Sequence, residues 1–239
     1  MILTSLVLLI FIPFVGFGAN DSTVRIFSND ATAIWGNLGE IIVPSPDGTK
    51  AIVVKKGAES EGGNRVTVRA FNREFKTRIG FMVNSEVAWA PNSRSFFVTY
   101  SDGGNVGTYH TKIFYVEPNG LRTVEPVRDA RKLFSPHCFS SESPNVGAIK
   151  WITPSRLLVA LEVPPHGSCA APGTFEAFEI DVPKSTVLRS YSQIEAKRLF
   201  LNSLGVELQN ADDDCFKSPQ LCSPTGLNIS RHKQPRSSE

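Results

Sequence analysis

The chain carries almost no net charge. Its 25 Lys and Arg against 23 Asp and Glu leave +2 over 239 residues, which gives no electrostatic basis for binding nucleic acid or an anionic membrane. Beyond residue 17 it has no apolar run that approaches the ~20 residues a membrane-spanning helix needs. The Gly-x-Ser-x-Gly elbow, the His-Glu-x-x-His helix and the Gly-Lys-Ser/Thr phosphate loop are all absent. The commonest signatures of hydrolases, metallopeptidases and nucleotide-binding proteins are therefore missing. Histidine is scarce as well, at 4 residues, which leaves little material for acid–base or metal chemistry.

What is present begins with an export signal. Ile2–Phe17 is apolar and uncharged, and Gly16, Gly18 and Ala19 suit signal-peptidase cleavage. Residues 1–19 are read as a signal peptide, with a retained anchor as the alternative, since the run also suits a spanning segment. The expected location is secreted or periplasmic, with no stable membrane insertion once the signal is removed. The roughly 220 residues that remain suffice for one all-β domain with a real core. Asn20-Asp21-Ser22 and Asn228-Ile229-Ser230 fit the glycosylation acceptor pattern.

A strand–turn–strand unit occurs three times, at Gly39–Lys56, Glu86–Ser101 and Ala148–Glu162. Pro46, Asp47 and Gly48 match Pro91, Asn92 and Ser93, 45 residues on, and Trp89, Ser93 and Arg94 match Trp151, Ser155 and Arg156, 62 residues on. The first spacing is that of a four-stranded propeller blade, about 40–45 residues. The second carries an insertion. Third strands follow at Arg65–Phe71, Lys112–Glu117 and Thr174–Val182, and short outer strands near Phe75–Ile79, Leu121–Val124 and Thr186–Arg189. Asn119-Gly120 signals a hairpin because both residues tolerate positive φ. The expected fold is an all-β, partial propeller-like array of about three four-stranded antiparallel blades, at 39–80, 84–127 and 146–191, within a domain spanning 20–191. Trp89 and Trp151 hold equivalent first-strand positions, which marks them as blade-packing residues rather than ligand platforms.

Ser45-Pro46-Asp47-Gly48-Thr49-Lys50 before an apolar strand, followed by Tyr115-Val116-Glu117-Pro118-Asn119-Gly120, resembles the blade signature of TolB-like propellers. The likeness covers about 150 residues, with the full Ser-Pro-Asp-Gly turn in the first unit alone. It implies an extracytoplasmic binding or scaffolding module.

Three blades do not make an ordinary closed ring, which typically has 4–8. Thr23–Ser28 offers an additional strand. Ser192–Gly205 offers a helix that covers an edge, with Ser192 and Glu195 as a capping box, Ile194, Leu199 and Leu204 at near-helical spacing, and Gly205 as a stop. Homodimerisation into a six-bladed ring is a second route to closure. The C-terminal region, 192–239, is thus read as one helix, a disulfide loop and a disordered tail.

Four Cys in an exported chain suggest two disulfides. Cys215 and Cys222 are neighbours in a polar stretch, while Cys138 and Cys169 lie in loops that emerge together on one end of a blade. His137 and His166 flank the second pair, so a Cys₂His₂ metal set is the alternative there. Asp212-Asp213-Asp214 lacks the spacing of a calcium loop.

Three Gly-rich loops, Gly57–Asn64, Ser101–His110 and Pro164–Gly173, share one face, the default binding surface of such a scaffold. Asp102, Tyr109, His110, His137 and His166 are the candidate binding residues on it. The functional expectation is an exported, non-enzymatic module that binds a protein, peptide or envelope component, without a cofactor. The competing expectation is a hydrolytic or metal-dependent enzyme built on the loop histidines of the third blade.

Overall fold

The three apolar hairpins dictate the architecture. In the computed structural model, residues 24–35, 39–56, 64–79, 84–103, 107–134, 143–165 and 171–211 are described. They form three antiparallel sheets, so the all-β expectation holds. The first sheet is a meander of β2 (Ile41–Pro44), β3 (Ala51–Lys56), β4 (Asn64–Ala70) and β5 (Arg73–Lys76). The second runs in the order β1 (Thr32–Trp35), β6 (Asn84–Trp89), β7 (Ser95–Ser101), β8 (Tyr109–Glu117), β9 (Gly120–Val124). The third is β10 (Asn145–Thr153), β11 (Arg156–Glu162), β12 (Phe175–Asp181), β13 (Thr186–Tyr191).

Alternation along the strands divides the core. Ile52, Val54, Val66 and Val68 of the first sheet meet Val87, Phe96, Val98 and Phe114 of the second. The opposite face of the second sheet presents Phe97 and Ile113 to Val146, Ala148, Leu157, Val159 and Phe178 of the third. Strand β7 is buried on both faces, which is why its centre is the continuous apolar run Phe96-Phe97-Val98 rather than an alternation. The far face of the third sheet packs Ile149, Leu158, Ala160 and Phe175 under the C-terminal helices. The opposite face of the first sheet is mixed: Val53 and Thr67 are buried on it, while Glu40 bridges Lys55 at 3.7 Å and Arg69 at 3.1 Å.

The repeated tryptophans tie neighbouring sheets together. Trp89 Nε1 donates to the Val43 carbonyl of the first sheet at 3.0 Å, and Trp151 Nε1 donates to the Ala88 carbonyl of the second at 3.2 Å. The hairpin turns meet at the same end, where the Asp47 amide donates to Ser93 Oγ at 3.0 Å. Asp47 also accepts from the Ser45 hydroxyl and the Thr49 amide, and these bonds hold its carboxyl well below the usual range. We expect Trp89→Phe, which keeps the ring but strands the Val43 carbonyl, to cost about 1–3 kcal/mol in urea unfolding. An unchanged midpoint would mean that the indole bond contributes nothing net.

Several local expectations are corrected. The additional strand is Thr32–Trp35, which pairs with β6 from Thr32↔Val87 to Trp35↔Asn84. Residues 24–28 are instead held by groups of distant segments, Glu86 among them, and make only an isolated bridge, Ser28↔Leu204. The C-terminal cap is not one helix: α2 (Gln193–Phe200) gives way to a 3-10 turn at Leu201–Ser203 and then α3 (Val206–Asn210). The capping box of Ser192 and Glu195 is present. Gly205, however, has φ −73° and caps the start of α3 rather than ending α2. Nor does α2 bury the expected stripe, since Ile194 and Leu199 are exposed and Gln193 and Ala196 face the core. The hairpin expected at Asn119-Gly120 is present between β8 and β9, with Gly120 taking the positive φ. A short helix that the sequence reading missed, α1 (Arg128–Phe134), drops Ala130 and Phe134 into the core between the second and third sheets. Because α2 and α3 cover the far face of the third sheet, a second copy would meet helices there rather than a bare sheet.

Candidate functional site

The strand ends opposite the proline-containing turns carry the polar residues. Asp102 closes the connection from β7 to β8: its Oδ1 accepts from the Thr108 amide at 2.8 Å and its Oδ2 meets His110 Nε2 at 3.0 Å. His110 sits opposite Tyr100 in the ladder, with the rings 5.7 Å apart. The Asp102 and His110 side chains are 53% and 31% exposed, so solvent reaches both. The structure thus brings these two candidates together.

Tyr109 is a correction. It opens β8 rather than lying in a loop, and strand alternation turns it away from His110 into the core, 7% exposed. Its ring meets Phe27 edge-on at 5.1 Å, its hydroxyl bonds Asn84, and burial pushes its pKa up to about 12. It is a packing residue. His137, His166, Cys138, Cys169, Cys215 and Cys222 lie outside the described residues, as do the signal segment and Asp212–Asp214. Among the described residues no group of three or more His, Cys, Asp or Glu side chains is placed to hold a metal ion.

Tyr109 leads into a buried polar seam between the second and third sheets that sequence reasoning overlooked. The Tyr109 amide donates to Asn145 Oδ1 at 3.0 Å, and Asn145 Nδ2 donates to Glu162 Oε2 at 3.0 Å. Glu162 is 1% exposed, and burial pushes its pKa up to about 8, with Glu207 adding to the rise and Asn145 opposing it. Deeper in, the Ala148 amide donates to Thr99 Oγ1, Thr99 and Thr111 share a 3.0 Å bond, and Thr111 Oγ1 donates to the Val146 carbonyl. Each hydroxyl is satisfied twice, as a buried network requires.

Comparison with known proteins gives no match: no family model, no curated protein and no solved structure is similar to this chain. The chemistry must be read from its own residues.

A second buried carboxylate, Glu86, receives the amides of Ile26 and Phe27, the latter at 3.1 Å. Burial pushes its pKa up to about 7, against the pull of those donors. Raised carboxylates often mark acid–base catalysts. Here both are sealed from solvent, and their hydrogen bonds go to structure: Glu86 fixes the chain before β1, and Glu162 fixes Asn145 and through it Tyr109. Both lie at the edge of an apolar run, Glu86-Val-Ala-Trp and Leu-Val-Ala-Leu-Glu162. A charge bordering such a run was the signal available.

Among the described residues no helix is long and apolar enough to cross a membrane.

Proposed function

We propose that this chain is an exported binding or scaffolding module, three propeller-like blades stacked in an open arc, which presents a protein or peptide partner with the strand ends around Asp102 and His110. The observation that carries this reading is the division of labour among its ionisable groups. Glu86 and Glu162 are buried and committed to holding segments in place. Asp102 and His110 form a solvent-reached pair fixed on a rigid hairpin. A rigid scaffold with a polar pair on its rim suits recognition better than turnover. The stacking order, with one tryptophan bond per junction, supports the blade reading, and the TolB-like turn is consistent with it.

Crosslinking in the producing cell, with wild type and a His110→Ala variant compared, tests this reading. We expect one or more specific crosslinked partners whose yield falls about tenfold in the variant, at unchanged melting temperature. Equal capture by both proteins would remove this face from the proposal. Turnover abolished by His110→Ala would replace the binding reading with an enzymatic one.

A further inference from the structure

At the opposite end of the first sheet, an open depression of about 780 Å³ is lined by Lys50, Arg69, Phe71, Asn72, Arg73 and Glu74 together with small residues of β2 to β4. We propose that it is a second binding site, for an acidic saccharide: a pyranose ring bearing a carboxylate or sulfate. Three observations converge on this assignment.

Phe71 is the first. With Asn72 it makes the two-residue turn between β4 and β5, closed by the Ala70↔Arg73 pair. Both residues have left-handed φ, 54° and 55°. Asn accepts that conformation readily and a bulky aromatic does not. Phe71 gains little packing in return, for it is 48% exposed and belongs to none of the three core clusters. Folding alone would favour Asn or Gly there. A strained, exposed aromatic ring lining a cavity points to a ligand.

Charge is the second observation. The lining holds three cations against one carboxylate. Lys50 is engaged by Asp47, and Arg69 by Glu40 and Glu74. Arg73 pairs with no carboxylate among the described residues and instead lies over the Phe75 ring at 5.6 Å. A guanidinium with no counter-ion among the described residues, beside an open cavity, suits bidentate contact with a carboxylate or sulfate.

Shape is the third. The depression is open, and Phe71 lines it with Lys50 6.0 Å from the ring. A flat ring can stack on Phe71 while its acidic substituent reaches Arg73 and its hydroxyls face Asn72. This site lies at the far end of the sheets from Asp102 and His110, so neither assignment depends on the other.

Calorimetric titration of the full chain with a hexasaccharide of alternating glucuronate and N-acetylglucosamine, beside the neutral hexasaccharide of N-acetylglucosamine, is the test. We expect the acidic sugar to bind more tightly than the neutral one, with affinity falling as salt rises. Phe71→Asn and Arg73→Gln should each weaken it about tenfold, while Phe71→Asn does not lower the melting temperature. Absence of binding by the acidic sugar, full affinity in Phe71→Asn, or complete displacement by inorganic phosphate would each overturn the assignment.

Discussion

Phe27→Ala is expected to destabilise the chain by about 3–5 kcal/mol, the usual cost of deleting a buried aromatic side chain, and to lower the melting temperature by roughly 6–20 °C. Phe27 is fully buried, yet it belongs to no regular strand or helix. Its ring lies so close to the backbone of β10 that a Cβ at Gly147 would fall 2.1 Å from it, and it also packs edge-on against Tyr109. The backbone on either side is gripped as well. Phe27 and Arg25 carbonyls accept the amides of Gly205 and Val206, each at 2.8 Å, and the Glu86 carboxylate accepts the Phe27 amide. Losing the ring therefore loosens the second sheet, the third sheet and the helical cap together. Gly147→Ala should be damaging for the complementary reason, because the ring it meets has nowhere to move. The two changes are coupled: the added methyl group fits the space that Phe27→Ala vacates. A double-mutant cycle by urea unfolding should give a favourable interaction energy of about 1–3 kcal/mol. Strict additivity would show that the ring and Gly147 do not press on one another.

The second large effect is on pH. Burial raises Glu162 from 4.5 to about 8, so the folded chain keeps this proton after the unfolded chain has lost it. Between those values the unfolded state binds fewer protons, and stability falls as pH rises. The decline is at most about 1.4 kcal/mol for each pH unit crossed. Glu86 contributes a slope of the same sign, from 4.5 up to about 7. Glu162→Gln keeps an acceptor for Asn145 and removes the titration. We expect the wild-type urea midpoint to fall from pH 5 to pH 8 and the variant's to fall less, with the gap between them widening up to pH 8 as Glu162 alone titrates through its raised pKa. A wild-type midpoint that stays level, or rises, over this range would show that Glu162 is ionised in the folded chain.

Much of the secondary structure was legible from the chain. The hairpins at Pro46, Pro91 and Pro154 follow from turn residues placed between apolar strands, and the start of α2 follows from Ser192 and Glu195, which cap each other within one turn. These are local effects, settled within a few residues. The misreadings had non-local causes. Thr23–Ser28 has the alternation of a strand in sequence, but the amides and carbonyls of residues 25–27 find Glu86 and the 205–207 segment before any strand edge. Ile194 and Leu199 have helical spacing, but the way the cap sits on the third sheet turns them outward. Tyr109 and His110 are adjacent in a polar, Gly-rich stretch, and strand alternation sends one into the core and leaves the other in solvent.

Hydrophobic alternation and turn chemistry alone determined that this chain makes three antiparallel meanders, because both act between near neighbours. The packing of the sheets decided the rest. It made Glu86 and Glu162 buried clamps, made Gly147 and Gly205 positions where no side chain fits, and left Phe71 exposed in a conformation that suits it poorly. Burial, contact distance and hydrogen-bond partnership are set by residues far apart in the chain, and they acquire values only once the sheets have stacked.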